Sequence, residues 1–327
     1  MNTVGLIVNP KAGKDIRRIV SYGRFTTDEE KLNIVARILT GLTDSGVDRV
    51  LAMPDTIGLI KAAINKSNKT IPVEILDIPA FGIEEDTALA TKIMVESGVG
   101  CIVSLGGDGT NRCIAEHAAS VPMVPVSTGT NNVFPILIEG TTAGLAAGLI
   151  ATKSVDVKTT TQQKPLIEVE IDGKIVGVAL IDAAISKQAY IGARAVWDAE
   201  SIDEIFVSGF YPSCIGLASI ASRIPIRTKA GIYVKLGDGK HMVSAPITPG
   251  VISRVNVNSW SEMKFDEKLP VSLKPCSIAV DGERTWVLRK NQSAVMTLRE
   301  FGPIVVSISK TLEQAALSKK FITYLMR

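Results

Sequence analysis

The sequence predicts an α/β protein built from a parallel-sheet domain over residues 1–154 and 300–327 and a β-rich, sandwich-like domain over residues 155–299. Three observations predict this division. Apolar runs alternate with amphipathic segments in the first half, strictly alternating patterns follow, and helical spacing returns at the end of the chain. A chain of 327 residues is long enough for two domains with separate cores.

The first half reads as repeated strand and helix units. Apolar, β-branched runs predict strands at 4–8, 48–53, 72–78, 100–105 and 123–126, and amphipathic segments predict helices at 28–41, 57–65, 84–97 and 111–119. The strand segments are apolar on both faces, which is typical of a parallel sheet covered by helices on both sides. Ligands bind such sheets beyond the carboxyl ends of the strands.

The second part alternates between apolar and polar residues. Residues 166–171 and 174–178 flank Asp172-Gly173, which is a strong hairpin signal. Similar alternation at 231–236 and 251–257 predicts further antiparallel strands. From 310 to 326, apolar and amphipathic residues at a spacing of four predict a terminal helix that returns to pack on the first domain.

Composition excludes several classes of function. The chain has 36 basic and 33 acidic residues and 5% aromatic residues, so we expect no nucleic-acid partner. Four widely spaced cysteines and only two histidines, His117 and His241, argue against zinc and histidine-based catalysis and favour oxygen chemistry with Mg²⁺. The cysteine spacing also favours a reduced, intracellular protein.

The sequence predicts neither a targeting segment nor a membrane span. The start of the chain has no basic segment followed by a long apolar run, so we predict no secretion signal. The stretch 143–151 is too short to cross a bilayer, which requires about 20 apolar residues. We therefore expect a cytoplasmic protein.

The strongest functional motif is Gly106-Gly107-Asp108-Gly109-Thr110, between a predicted strand and a predicted helix. Closely spaced glycines let backbone N–H groups approach an anion at a helix N-terminus, and Thr110 is expected to cap that helix. A carboxylate would repel a bound phosphate, so its presence here indicates a separate role. That role is either polarising an acceptor hydroxyl or holding Mg²⁺ through water. Asp108 is therefore the predicted catalytic residue. The alternative is a tight loop without function.

Two more polar loops follow predicted strands of the same sheet. Asn9-Pro10-Lys11-Ala12-Gly13 follows the first strand, and Ser127 to Asn132 follows the strand at 123–126. Either could be an ordinary turn, but together with the main loop they predict one pocket at the carboxyl edge of the sheet. The predicted nucleotide-binding residues are Asn9, Lys11, Gly106, Gly107, Gly109, Thr110, Thr128, Gly129, Thr130, Asn131 and Asn132.

These three loops resemble the ATP-NAD kinase and diacylglycerol kinase superfamily, and segments 186–197 and 210–216 look most like its acetoin-catabolism protein X branch. The resemblance implies an α/β nucleotide-binding domain and a β-sandwich domain on the acceptor side, with the C-terminal segment returning to the first. It also implies Mg²⁺-dependent phosphoryl transfer from ATP or polyphosphate to a hydroxyl of NAD or a related nucleotide-like acceptor. Relatives of this kind form dimers or tetramers, which makes a homodimer or homotetramer the expectation.

On the acceptor side, the resemblance points to Asp182, Ser213, Asp281 and Glu283. NAD kinases carry an asparagine before the acidic residue that corresponds to Asp182, and Ile181 takes its place here. Asp281-Gly282-Glu283 resembles an acidic motif of lipid kinases, and could also be a simple hairpin turn. Two alternatives to a NAD-kinase-like enzyme therefore stay open, a lipid or polyol kinase and a nucleotide-binding sensor without turnover.

Overall fold

The structure is a computed structural model that describes residues 1–13, 21–67, 71–190 and 198–322. The first half alternates strands and helices as predicted. In chain order the elements are β1 (Thr3–Val8), α1 (Asp28–Asp44), β2 (Arg49–Ala52), α2 (Leu59–Lys66), β3 (Val73–Ile75), α3 (Glu84–Glu96), β4 (Cys101–Leu105), α4 (Asp108–His117), β5 (Met123–Val126), α5 (Gly140–Ala151), α6 (Val157–Thr160) and β6 (Thr161–Gln163).

The following residues form the predicted β-rich part. Its elements are β7 (Leu166–Ile171), β8 (Lys174–Ala179), β9 (Asp182–Ser186), β10 (Ile202–Val207), α7 (Ala218–Ala221), β11 (Gly231–Thr248), β12 (Val251–Met263), β13 (Lys268–Pro270), β14 (Cys276–Val280), β15 (Glu283–Leu288) and β16 (Ala294–Arg299). The chain then adds β17 (Ile304–Val306) and α8 (Ile308–Leu317).

The first sheet has seven strands in the order β3-β2-β1-β4-β5-β17-β6. All neighbouring pairs from β3 to β17 are parallel, and β6 runs antiparallel to β17. The predicted parallel sheet is confirmed. The third strand is shorter than the predicted 72–78, because β3 lies at the sheet edge and pairs only with the four-residue strand β2.

The second part is a sandwich of two antiparallel sheets, with strand orders β12-β11-β10-β9-β14-β15 and β13-β16-β7-β8. Buried side chains of both sheets, such as Phe206 from the six-stranded sheet and Met296 from the four-stranded sheet, share one apolar core. The hairpin predicted around Asp172-Gly173 joins β7 and β8. The sandwich-like prediction is confirmed.

The C-terminal segment returns to the first sheet. Strand β17 lies between β5 and β6, and Ile308 and Ala315 of α8 are buried in the core that β1, α1 and α5 share. Helix α8 ends at Leu317, earlier than the predicted 326, and residues 323–327 lie outside the described part of the chain. The exact domain boundaries at 154 and 300 stay a prediction. Within the described residues, no helix combines the length and apolar character that crossing a membrane requires.

Helices α1 and α5 pack so closely that glycine is needed at their contact. A Cβ atom at Gly144 would lie 2.2 Å from the Ile38 carbonyl oxygen, and one at Gly41 would lie 2.2 Å from the Thr141 carbonyl oxygen. Both neighbours are backbone atoms, so neither can rotate away. The contact holds α1 and α5 against the same face of the sheet.

Gly144→Ala is therefore expected to lower the free energy of unfolding by about 1–3 kcal/mol, the usual cost of an overpacked contact. Gly109→Ala is the matched control, because Gly109 is also helical and nothing lies within 4 Å of an added Cβ. Alanine is intrinsically better than glycine in a helix by up to about 1 kcal/mol. Urea unfolding compares the two variants, and equal stability would contradict the close-contact explanation.

Candidate functional site

The three predicted loops meet at one edge of the first sheet. Strands β1, β4 and β5 are parallel neighbours that end in register, with Val8 opposite Leu105 and Leu105 opposite Val126. Each loop leaves the carboxyl end of one of these strands. The Asn9 side-chain amide donates a hydrogen bond of 2.9 Å to the Thr110 hydroxyl, which joins the first two loops directly.

The loops line a cleft of about 890 Å³, to which the β14–β15 turn of the second domain contributes Asp281 and Glu283. Twelve of the predicted site residues line it, namely Asn9, Lys11, Gly107, Asp108, Gly109, Thr110, Gly129, Thr130, Asn131, Asn132, Asp281 and Glu283. Gly106 and Thr128 are buried and do not line the cleft, and Asp182 and Ser213 do not line it either.

The main loop places a helix N-terminus at the cleft. Gly107 is extended and is the N-cap of α4, and its carbonyl accepts hydrogen bonds from the backbone N–H and the side-chain amide of Asn111. The helix therefore begins at Asp108, three residues before the predicted start. The expectation that Thr110 caps this helix was wrong, because Thr110 is already inside the helix and its hydroxyl accepts from Asn9.

Asp108 is bound to the third loop. Its two carboxylate oxygens each accept from the Val133 backbone N–H at 3.1 Å, and Oδ1 also accepts from Phe134 at 2.9 Å. The carboxylate lines the cleft and at the same time fixes the backbone that follows Asn132. Asp108 thus couples the glycine-rich loop to the polar loop.

The third loop is tightly tied. The Asn132 amide donates to the Ser127 hydroxyl at 2.9 Å, the Thr130 hydroxyl accepts from the Arg24 backbone N–H at 3.2 Å, and the Thr128 carbonyl accepts from the Thr26 hydroxyl. Asn131 Oδ1 is buried and has no hydrogen-bond partner among the residues that the structure describes. An acceptor of this kind in the cleft suits an N–H or O–H group of a bound molecule.

The first loop is tied to both sides of the cleft. Lys11 Nζ donates to the Gly82 carbonyl at 2.7 Å, which links this loop to the segment before α3. From beneath, Lys31 of α1 donates to the Pro10 carbonyl at 2.5 Å and lies 3.3 Å from Asp28 Oδ1. Lys31 is 0% exposed, so its ammonium group is a buried positive charge directly under the loop.

Sequence reasoning missed Lys31, although a signal existed. Lys31 lies three, four and seven residues before Ile34, Val35 and Ile38, on the buried face of α1. A lysine at such a position is rarely fully buried without a bonded partner. Its place in the apolar pattern could have marked it as a residue with a specific contact.

Lys31→Met is expected to weaken ATP affinity by about tenfold. A hydrogen bond from a charged group contributes about 1.5–3 kcal/mol, and its loss would release the Pro10 carbonyl and remove a positive charge beneath the predicted phosphate site. Isothermal calorimetry measures the affinity. Lys66→Met is the control, since Lys66 is exposed, bonds to Asn33 at 2.7 Å and does not line the cleft. Equal ATP affinities in the two variants would count against the role of Lys31.

Two of the predicted acceptor residues do not line the cleft. Asp182 is buried at the start of β9, and Ser213 is exposed in the loop before α7. Ile181, which takes the place of the NAD-kinase asparagine, is 2% exposed and packs in the core of the second domain. An asparagine there would place an amide in apolar surroundings and would not reach the acceptor.

The Asp281-Gly282-Glu283 segment is both a turn and part of the cleft. Asp281 and Gly282 have φ angles of 49° and 81°, which is the Asp-Gly geometry of a two-residue hairpin turn between β14 and β15. Glu283 lines the cleft with an exposed side chain. The Asp281 carboxylate points inward and accepts from the backbone N–H groups of Leu180 and Ile181 at 3.0 and 2.8 Å.

The described residues favour neither thiol catalysis nor a metal site made of protein ligands alone. All four cysteines are free and buried, and burial raises their pKa, to about 12 for Cys113 and Cys214. Thiolate chemistry is therefore disfavoured. Among the described residues, no three His, Cys, Asp or Glu side chains could hold a metal ion together. Mg²⁺ commonly binds proteins through only one or two carboxylates plus phosphate oxygens, and the carboxylate of Asp108, which lines the cleft, fits such a partial ligand set.

Two family models match different parts of the chain. Residues 4–153 match the ATP-NAD kinase N-terminal domain, and residues 165–300 match the acetoin catabolism protein X C-terminal domain. The acetoin catabolism protein X of Cupriavidus necator is 33% identical over 329 aligned positions, which cover 95% of this chain and 92% of the relative. The chain belongs to the acetoin catabolism protein X family.

Solved structures give a weaker likeness. A diacylglycerol kinase from Bacillus anthracis strain Sterne aligns with a TM-score of 0.44 and 15% sequence identity, over 93% of this chain and 96% of that structure.

Proposed function

We propose that this member of the acetoin catabolism protein X family is a kinase that transfers the terminal phosphoryl group of ATP or polyphosphate to a hydroxyl of a small acceptor. One observation carries the proposal. A glycine-rich helix N-terminus, two polar loops and the carboxylate of Asp108 meet in one cleft, with Glu283 of the second domain among its lining residues. The match to an ATP-NAD kinase domain over residues 4–153 supports the donor half.

Different residues would bind the donor phosphates and accept the proton of the acceptor hydroxyl. The N-terminus of α4 and the first loop would bind donor phosphates, because N–H groups and the helix dipole favour anions. The acceptor oxygen would form the new bond to phosphorus as the bond to the leaving phosphate breaks, while a carboxylate takes the hydroxyl proton. Asp108 is our candidate for that carboxylate. Mg²⁺, when bound, would neutralise phosphate charge.

NAD or a related nucleotide is the leading acceptor, on the strength of the kinase-domain match alone. Glu283 favours a second candidate, a lipid or polyol kinase. Its exposed carboxylate lines the cleft from the second domain, where a hydroxyl without a nucleotide could reach it. The name of the Cupriavidus necator relative adds acetoin, a small hydroxyketone, to the acceptors worth testing.

The contacts of Asp108 favour a third candidate, a nucleotide-binding sensor without turnover. Both carboxylate oxygens are engaged by backbone N–H groups, as expected of a residue that mainly orders a loop. The sensor would bind nucleotide in the same cleft and transfer nothing. A kinase and a sensor would both bind nucleotide, so only turnover distinguishes the two functions.

A panel of donors and acceptors decides between these functions. Purified full-length protein with Mg²⁺ and either ATP or polyphosphate would be incubated with NAD, adenosine, glycerol, acetoin or diacylglycerol vesicles, and phosphorylated product measured by ³¹P NMR. Product from NAD or adenosine supports the leading function, and product only from glycerol, acetoin or lipid supports the second. Calorimetric ATP binding without any product would overturn the kinase proposal in favour of a sensor.

A further inference from the structure

We propose that Arg112 and Asp281 are positioning residues that fix the second domain against helix α4 and thereby set how Glu283 faces Asp108 across the cleft. Neither residue needs to touch the substrates for this role. The consequence for catalysis rests on the proposed function. The pair itself is a property of the folded chain and can be tested without turnover.

Asp281 anchors a corner of its own domain. Besides the Leu180 and Ile181 contacts, Oδ1 accepts weakly from the Asp182 backbone N–H at 3.4 Å, and the side chain is 0% exposed. Three successive N–H groups at the junction of β8 and β9 thus converge on one carboxylate. Glu283 lies two residues further along the same turn. The position of Asp281 therefore also determines the position of the Glu283 backbone.

Arg112 connects that carboxylate to the first domain. It lies four residues after Asp108, one turn along α4, and its side chain is 6% exposed. One guanidinium nitrogen donates to the Val280 carbonyl at 3.3 Å and lies 3.8 Å from Asp281 Oδ2, while the other donates to Glu84 Oε1 at 3.2 Å. A single side chain therefore links α4, the start of α3 and the end of β14.

The charges explain why the two residues depend on each other. Burial raises the pKa of the Asp281 carboxyl, and the positive charge of Arg112 and the three backbone N–H groups act in the opposite direction. Without Arg112, the carboxylate would keep the desolvation and lose the compensating charge. Residues 180–182 and the β14–β15 turn would then no longer be held to α4 through Arg112.

This role differs from a simple contribution to stability. Each domain has an apolar core of its own, and neither core includes Arg112 or Asp281. A buried ion pair is in general weak evidence for stability, because desolvation offsets the attraction between the charges. What the pair does supply is a directional contact between two domains that share one cleft.

The test compares Arg112→Met, Arg112→Lys, Asp281→Asn and the double variant Arg112→Met/Asp281→Asn in the full-length chain. Amide hydrogen exchange of residues 180–182 is measured relative to residues 166–171 of the same domain. In Arg112→Met and Asp281→Asn we expect exchange at 180–182 to accelerate by about tenfold or more, with little change at 166–171. Arg112→Lys, which keeps the charge, should accelerate it less.

The kcat and the ATP affinity of the same variants distinguish a positioning role from a role in ATP binding. Arg112→Met should lower kcat by about tenfold or more and change ATP affinity by less than about threefold, with Arg112→Lys in between. The double variant should lose less than the sum of the two single variants, because both changes break the contact that Arg112 and Asp281 share. Arg49→Met is the matched control, since Arg49 pairs with Glu74 at 3.0 Å at the far edge of the sheet and does not line the cleft.

Several results would overturn the proposal. Unchanged exchange at 180–182 in both Arg112→Met and Asp281→Asn would show that the pair does not hold the corner. Equal losses of kcat and ATP affinity, or additive losses in the double variant, would show binding or independent roles. If the unmodified protein transfers no phosphoryl group, the proposed function fails while exchange still decides whether the pair holds the corner. Should Arg112→Met not fold, Asp281→Asn is the milder change, because its amide oxygen still accepts hydrogen bonds.

Discussion

Asp108→Asn is expected to lower kcat for phosphoryl transfer by about 10²- to 10⁴-fold, the usual contribution of a general base. The change removes the negative charge that would take the acceptor proton and leaves the size of the side chain almost unchanged. A larger loss would indicate that Asp108 also contacts the metal ion. Product formation from the best donor and acceptor pair measures the effect.

The structure predicts a second effect in the same variant. Asp108 accepts hydrogen bonds from Val133 and Phe134 with both oxygens, and an asparagine can offer only one oxygen to these N–H groups. The NH₂ group would face a backbone donor, so the loop after Asn132 should loosen. We therefore expect ATP affinity to fall as well, although by much less than kcat.

Asp172→Asn provides the control for this structural effect. Asp172 lies in the β7–β8 hairpin turn, outside the cleft, and its carboxylate accepts from the Ser293 backbone N–H at 2.8 Å. Its replacement should leave kcat unchanged within about twofold. Undiminished turnover in Asp108→Asn would end the catalytic assignment. A sensor would show no turnover in either protein, with altered ATP affinity only in Asp108→Asn.

The first domain was largely predictable because its signals are local and its geometry is general. Apolar runs such as the one ending at Val8 predicted buried parallel strands, and the carboxyl ends of such strands share one edge. The meeting of Asn9, Asp108 and Asn132 then followed from topology without any knowledge of distances. The three-residue strands β6 and β17 were not predictable, because each forms only by pairing with segments about 140 or more residues away.

The acceptor side was less predictable because its contacts are long-range. The pairing of Arg112 with Asp281 joins residues 169 positions apart, and no local pattern indicates it. Ile181 shows a different difficulty. A motif comparison assigned its position in the chain, but did not show whether its side chain faces the cleft or the core, where it packs. Asp281-Gly282 could not be assigned from sequence, because the same two residues serve as a turn and as a buried anchor.

Gly107→Val is expected to weaken ATP binding by about 100-fold or more while the fold persists. Gly107 is extended, with φ at −96°, so its backbone conformation accepts other residues. Space is the limit, since a Cβ atom would lie 2.9 Å from Asn132 Oδ1. The two valine methyl groups would cover the N-terminus of α4, where a phosphate would otherwise meet the backbone N–H groups. Losing one or two charge-assisted hydrogen bonds at about 1.5–3 kcal/mol each accounts for this magnitude.

A graded series identifies the cause of that loss. Gly107→Ala should weaken ATP binding less than Gly107→Val, because its single methyl group meets only the movable Asn132 amide. In Gly107→Val/Asn132→Ala the side-chain contact is removed while the valine still covers the helix N-terminus, so binding should stay weak. Recovery of affinity in this double variant would show that displacement of Asn132 caused the defect. Calorimetry with ATP and thermal unfolding of each variant complete the test, and ATP affinity unchanged by Gly107→Val would remove the phosphate site from this loop.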